Sequence, residues 1–184
     1  MMLNLAVGSI AFTLFFLYDL WQIKCLPSVF RICFVLGCLM LTYATAGLVL
    51  ITPVSPYFSA IRLVFLIPAA IFLLLTIYAL FFTLPSKKTY SDQNDRPVTD
   101  SGVYALCRHP GVIFLSLFYL FLLLSFCKVE LLYCFVIWTL QDIVLVFVED
   151  RFIFPKLFNG YEDYKTRVPF LIPTIDSLKR AVKR

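Results

Sequence analysis

The sequence predicts an all-α integral membrane domain, from its composition, the grouping of its apolar residues and the placement of its basic ones. Of the 184 residues 61% are hydrophobic, and the mean hydropathy is +0.91. A soluble domain carries roughly 45–50% apolar residues. The excess is too large for one small core and falls in long blocks. We therefore expect a single membrane domain over residues 1–184, whose active site is built from helix ends and short loops.

Five apolar blocks have about the length of 20 residues that a helix needs to cross the hydrocarbon core. They cover residues 3–20, 29–51, 61–84, 111–126 and 129–148. Because lipid does not tolerate open sheet edges, we expect all five to be helices. Pro27, Pro53 and Pro56 mark the first two connections, and Pro68 is expected to kink the third helix. The short gap before the fifth block predicts a tight helical hairpin over residues 111–148.

The basic residues predict an orientation, with the N-terminus outside and the C-terminus cytoplasmic. The inner face then holds two basic residues after the first helix, four in a loop at 85–110 and eight in a C-terminal segment at 149–184. Together these are 14 of the 16 Lys and Arg residues. The first helix lacks a basic leader and a cleavage site, so we expect it to be retained.

A polar loop ends and the fourth helix begins within the run SGVYALCRHPG at residues 101–111. Pro110 suits the first turn of a helix, where its missing N–H has no cost. The free N–H groups of that turn can bind a carboxylate or another anion, and Arg108 and His109 stand beside them. The alternative is a basic residue that anchors a helix end at the lipid headgroups.

Two acidic residues, Glu149 and Asp150, lie at the C-terminal end of the fifth helix, where the helix dipole opposes them. An unpartnered carboxylate beside apolar chain is costly, so we expect a cation there: Arg108, Arg151 or a positively charged ligand. The alternative is an interfacial ion pair that joins helices four and five. Both interpretations can hold together.

Asp142 lies two turns before Glu149 on the same helix face, within the apolar block. An intramembrane carboxylate is a functional candidate by default, and the alternative here is a hydrogen bond between helices. Asp19, near the end of the first helix, is expected at the membrane interface.

The remaining features predict no metal and no nucleic-acid partner. The six cysteines have no CxxC spacing and the chain has a single His, so we expect reduced, buried thiols and no zinc site. Aromatic and basic residues alternate over 152–173, which suits a segment at the interface. The basic end of the chain is suited to anionic lipid.

The motifs of the second half resemble the isoprenylcysteine carboxyl methyltransferase family. They are SGVYALCRHPG, the apolar hairpin, VEDRFIFPKLF, YEDYK and RVPFLIP, over roughly residues 96–173. The wider group includes phospholipid N-methyltransferases and membrane thiol methyltransferases. Its members show G-x-Y-x-x-x-R-H-P, a Glu-Glu pair after the hairpin, a G-x-x-Y-x-x-Y-like stretch and a V-P-x-x-x-P ending. The first three helices match only as hydrophobic helices.

The resemblance implies an S-adenosylmethionine-dependent methyl transfer to a lipophilic or small acceptor at the cytoplasmic membrane face. It implies a cofactor site formed by Val98, Thr99, Tyr104, His109, Pro110, Gly111, Val112, Glu149 and Asp150. Glu149 would meet the ammonium group of the cofactor, and Arg108 would orient cofactor or acceptor. A carboxylate or thiolate acceptor needs no strong base, whereas an amine would need Asp142 or Glu149.

Three positions depart from the family pattern. Asp150 replaces the second Glu of the pair, and Val112 stands where carboxyl methyltransferases usually have an aromatic residue. Leu145 stands where prenylcysteine enzymes carry an arginine for the substrate carboxylate, which disfavours that substrate but not the cofactor. Two other functions stay open: a non-catalytic membrane protein that keeps the fold, and an NADPH-dependent membrane reductase.

Overall fold

The chain is all helical in the computed structural model, which describes residues 2–51, 59–82 and 97–183. Within these ranges no strand forms, and a single β-type bridge joins Pro97 to Asn159. Four helical segments are long and apolar enough to cross a membrane: Met2–Gln22, Ser28–Leu50, Ala60–Phe82 and Val129–Leu157. The predicted all-α class and membrane embedding are confirmed at this level.

The helices follow one another along the chain with short distorted turns at several ends. They are α1 Met2–Gln22, α2 Cys33–Ala46, α3 Leu66–Ile77, α4 Pro110–Phe126, α5 Val129–Val148, α6 Phe154–Leu157, α7 Tyr161–Arg167 and α8 Ile175–Lys183. Single 3₁₀ segments precede α2, α3 and α4, at Ser28–Ile32, Ala60–Phe65 and Gly102–Ala105. π-Helical turns follow α2, α3 and α5, at Gly47–Ile51, Tyr78–Phe82 and Glu149–Ile153.

Pro68, which was expected to kink the third helix, lies in the first turn of α3. Just before it, the helical segment changes from the 3₁₀ form of Ala60–Phe65 to the α-helix that begins at Leu66. The expected breaks at Pro53 and Pro56 lie outside the described residues, as does the part of the 85–110 loop that precedes Pro97.

The buried core takes residues from all five long helical segments, and within it α5 contacts both α1 and α4. Trp138 of α5 is fully buried, and its indole Nε1 donates to the carbonyl of Leu5 at 3.3 Å. The ring of Tyr119 on α4 contacts Trp138 at 5.1 Å, and its hydroxyl pairs with Thr45 at 2.8 Å. A Cβ on Gly8 would overlap the Trp138 ring, so glycine allows α1 to approach α5 closely. This approach brings the C-terminal ends of α1 and α5 together.

Lys128 joins α4 to α5 after the left-handed residue Cys127 and is only 4% exposed. Its ammonium group donates to the carbonyls of Leu48 and Val49, at 3.1 and 2.8 Å. These carbonyls belong to the π-helical turn that ends the second helix. Because helix C-terminal carbonyls lack intrahelical donors, the lysine satisfies them and links two segments.

The C-terminal segment folds back over the N-terminal end of α4. The backbone N–H of Arg108 donates to the carbonyl of Pro169 at 2.9 Å, and the hydroxyl of Tyr164 donates to the carbonyl of Tyr104 at 2.8 Å. Tyr161, Tyr164 and Val168 form a small core of their own. The segment after α5 is therefore fixed to the start of α4.

All six cysteines are free thiols, as expected. The expected burial holds for Cys33, Cys107 and Cys134, whereas Cys38 and Cys127 are half-buried. Cys25 is exposed, because it follows the end of α1, so the expectation is wrong for that residue. Within the described ranges, no group of three or more His, Cys, Asp or Glu side chains is placed to hold a metal ion.

Candidate functional site

The N-terminal end of α4 and the C-terminal end of α5 meet in a group of four ionisable residues. We call Arg108, His109, Glu149 and Asp150 the charged cluster. His109 immediately precedes α4, and Pro110 occupies its first turn, as predicted. Glu149 and Asp150 begin the π-helical turn after α5. The side chains of Arg108 and His109 are only 10% and 4% exposed.

Asp150 is the most heavily partnered member of the charged cluster. Its Oδ1 atom lies 2.7 Å from the Tyr161 hydroxyl, 3.1 Å from Nη1 of Arg108 and 3.4 Å from Nε2 of His109. The expected ion pair between the ends of helices four and five is present. Tyr161 donates its proton, because a carboxylate can only accept. Asp150 thus ties α4, α5 and α7 together.

His109 lies between the two carboxylates, with Nδ1 3.7 Å from Oε2 of Glu149. Burial lowers the pKa of His109 below its ordinary 6.5, although Asp150 acts in the opposite direction. The imidazole is therefore neutral at pH 7. A neutral ring carries one N–H, so it can donate to one of its two acidic neighbours at a time.

Aromatic rings cover the charged cluster. Phe154 stacks on the His109 ring at a centroid distance of 5.7 Å, and Phe170 meets that ring edge-on at 5.2 Å. The guanidinium of Arg108 lies 5.6 Å from the centre of Phe170. Sequence reasoning did not single out either phenylalanine, although both lie in the motifs of the tail.

Asp19 is a further residue whose part in the site the sequence did not predict. It was expected at the membrane interface without a role, but it is only 5% exposed and its carboxyl group is near enough to Glu149 to interact with it electrostatically. Gln22 donates to its Oδ1 at 3.2 Å, while Oδ2 is buried with no hydrogen-bond partner in the described structure. The predicted orientation held the signal, since it puts Asp19 and Glu149 at the same membrane surface.

The predicted cofactor residues divide into two groups. Burial raises the pKa of the Tyr104 phenol, and the nearby Glu149 raises it further. The phenol therefore stays protonated. Its hydroxyl donates to the carbonyl of Ala79 at 3.2 Å. Val112 is buried in the first turn of α4, whereas a Cβ on Gly111 would meet only Leu80, at 3.9 Å.

The second group consists of Val98 and Thr99, which are both half-buried. Val98 packs against the small core of α7 and borders a groove of about 330 Å³. The groove is also lined by Pro97, Asp100, Asn159, Gly160, Asp163 and Arg167. Val98 therefore contacts the tail at the small core of α7.

Asp142 lies in α5, two turns before Glu149, and is half-buried. Leu145 and Val146, between the two acids, are buried. The carboxyl of Asp142 is near enough to interact electrostatically with Glu149 and with the Tyr119 hydroxyl. The predicted acidic stripe along α5 thus runs from the core to the charged cluster.

Comparison with protein-family models, with curated proteins and with solved structures gives no match for this chain.

Proposed function

We propose that the chain is an S-adenosylmethionine-dependent membrane methyltransferase that acts on a lipophilic or small acceptor. The observation that supports this most is the charged cluster, where a helix N-terminus, a buried cation and a carboxylate meet under aromatic rings. An amino acid zwitterion requires both an anion-binding and a cation-binding group, and few places in a membrane helix bundle supply both.

The donors present fit the amino acid end of the cofactor. Nε of Arg108 is buried without a hydrogen-bond partner in the described residues, and the first turn of α4 has free N–H groups. These groups would hold a carboxylate. Glu149, whose nearest basic neighbour is a neutral imidazole at 3.7 Å, would accept from an ammonium group. Phe154 and Phe170 offer ring faces, which attract cationic groups such as a sulfonium.

When bound, S-adenosylmethionine supplies an electrophilic methyl group on sulfur. The residues of the chain then have to align an acceptor with that methyl group and exclude water. Asp142 would accept the proton of an amine acceptor. Leu145 is buried and apolar at the place where carboxyl methyltransferases carry their arginine, so it gives no support to a carboxylate acceptor.

The proposed topology has five crossings, with α4 and α5 as a membrane hairpin. α4 is an apolar helix of 17 residues and spans about 26 Å, close to the roughly 30 Å of the hydrocarbon core. Its packing against α5 through Tyr119 and Trp138 supports the hairpin. The 14 to 2 division of basic residues favours a cytoplasmic charged cluster, which the cofactor reaches from water and the acceptor from lipid.

Isothermal titration of the purified full chain with S-adenosylmethionine tests the proposal directly. We expect the wild type to bind and the Glu149→Ala variant to lose at least tenfold in affinity. Glu162→Ala is the matched control, because Glu162 is an exposed acid of α7 outside the charged cluster. Absence of binding by the wild type would remove the proposal, and binding of NADPH instead would establish the reductase alternative.

A second experiment separates catalysis from binding. Labelled-methyl transfer is measured with total membrane lipid, prenylated thioethers and small thiols as acceptors. We expect transfer into at least one class, and its loss in Glu149→Ala. Cofactor binding without transfer to any acceptor would identify a non-catalytic protein that keeps the fold.

A further inference from the structure

Two carboxyl groups from distant parts of the sequence meet at the ends of α1 and α5. The end of α1 contacts the π-helical turn that Glu149 begins, and the carboxyl groups of Asp19 and Glu149 are near enough to interact electrostatically. Asp19 is only 5% exposed. The close approach of α1 to α5 at Gly8 and Trp138 fixes this meeting from the far side of the core. The contact is therefore a consequence of the helix packing and not of a mobile surface side chain.

This carboxyl pair is short of positive charge. Arg108 forms its ion pair with Asp150, and among the described residues no Lys or Arg lies within 4 Å of Asp19 or Glu149. His109 is the nearest basic side chain, and burial keeps it neutral at pH 7. Two adjacent buried carboxylates repel one another unless they share a proton or a cation.

One oxygen of the carboxyl pair, Oδ2 of Asp19, is left without a donor in the described structure. This oxygen is buried, and the other oxygen of Asp19 accepts from Gln22 at 3.2 Å. A buried acceptor without a donor is rare in folded proteins, and one explanation is a ligand that supplies the missing donor. A primary ammonium group has three N–H donors and one positive charge, so it satisfies both oxygens and the charge balance.

We propose that Asp19 and Glu149 together form a two-carboxylate site for a primary ammonium group. The identity of the ligand rests on the proposed function, which offers two sources with the same chemistry. One is the amino acid end of S-adenosylmethionine, and the other is the amine headgroup of a lipid acceptor. In either case Asp19 contributes directly to ligand binding from α1, a helix outside the motifs of the second half.

The first arm of the test addresses the cofactor. Binding of S-adenosylhomocysteine, and of its analogue without the amino group, is measured by titration for the wild-type chain and for Asp19→Asn. If the ammonium belongs to the cofactor, the substitution weakens S-adenosylhomocysteine at least tenfold and changes the analogue less than twofold. Asp19→Glu, which keeps the carboxylate, restores at least part of the affinity.

The second arm addresses the acceptor. Binding of lysophosphatidylethanolamine is compared with that of lysophosphatidylcholine, whose quaternary nitrogen has no N–H donor. If the ammonium belongs to the lipid, Asp19→Asn leaves S-adenosylhomocysteine unchanged and weakens the ethanolamine lipid selectively. Glu162→Gln, an exposed acid on α7, serves as the matched control and changes neither arm.

The outcomes separate this inference from the proposed function. If the wild type binds neither S-adenosylmethionine nor S-adenosylhomocysteine, the proposed function fails, and the lipid arm alone decides the inference. If Asp19→Asn changes no ligand, or weakens ligands with and without the amino group equally, the pair only shares a proton and the inference is overturned. Should Asp19→Asn not fold, Glu149→Gln must show the same discrimination between amino and desamino ligands.

Discussion

The two ends of the α4–α5 pair handle buried charge in opposite ways. At the connecting end, Lys128 is buried and donates to the Leu48 and Val49 carbonyls, with the Phe126 ring 5.5 Å away. At the open end, the charged cluster and Asp19 bring three carboxyl groups together with one arginine and a neutral histidine. Lys128 binds fixed backbone dipoles, whereas the open end retains buried polar atoms without partners.

This difference distinguishes the structural charge of Lys128 from the candidate binding site at the open end. Backbone carbonyls at a helix end cannot move away or titrate, so an ammonium group that they bind has a fixed role. Side-chain carboxylates in excess of their cations leave an interaction incomplete, which a ligand can complete. Substitutions at the connecting end should therefore change stability alone, and substitutions at the open end should change stability and ligand binding.

Asp150→Asn gives the largest expected loss of stability. It removes the charge that partners Arg108 and weakens the acceptor of the Tyr161 hydroxyl, leaving a buried guanidinium without its counter-ion. We expect a loss of about 3 kcal/mol in the free energy of unfolding. Tryptophan fluorescence during denaturant unfolding measures this loss, and weaker S-adenosylmethionine binding should accompany it. A loss below about 1 kcal/mol would mean that the ion pair is solvated.

Lys128→Met gives a smaller loss, at the connecting end. The substitution keeps the apolar stem but leaves the Leu48 and Val49 carbonyls without their donor. We expect about 2 kcal/mol of destabilisation in the same assay. Ligand affinity, measured below the unfolding transition, should stay within twofold of wild type. A selective loss of ligand binding in a folded variant would contradict the division between the two ends.

The pH dependence of stability gives the smallest expected effect. Because the pKa of His109 is lowered in the folded state, the unfolded chain takes up the proton first as the pH falls through 6.5. The stabilisation of the folded state by neutral His109 is complete above pH 6.5, and it decreases as the pH falls toward the lowered pKa. Unfolding is followed between about pH 7.5 and 5.5. In His109→Gln, which retains a donor for Asp150, the free energy of unfolding should decrease less steeply as the pH falls. An equal slope in the variant and the wild type would exclude His109 as the source of the pH dependence.

Much of the helical framework could be predicted because the apolar blocks are long and uninterrupted. The predicted fifth block coincides with α5, and the fourth differs from α4 only by Pro110. The π-helical turns could not be predicted, since they fall within apolar sequence that fits an α-helix equally well. The change from 3₁₀ to α-helix just before Pro68 could not be predicted either, because the sequence does not reveal where one form gives way to the other.

The parts of the candidate site that could be predicted are its charged residues, because they interrupt an otherwise apolar sequence. Arg108 and Asp150 were expected as partners, and they form an ion pair. Phe154 and Phe170 were not distinguishable, because aromatic residues are common throughout the tail. Asp19 needed knowledge of which helices are neighbours, and a single sequence does not supply this knowledge. The assignment of the cofactor and acceptor roles stays a prediction.

The π-helical turn at Glu149–Ile153 has a consequence for how the chain can vary. Such a turn holds one residue more than an α-helical turn. Deleting that residue would restore the regular helix but rotate everything after it by about 100°. Phe154 would then leave the His109 ring, and Tyr161 would no longer reach Asp150. Any related sequence that keeps these contacts must therefore preserve the residue count between Glu149 and Tyr161, even where the residues themselves differ.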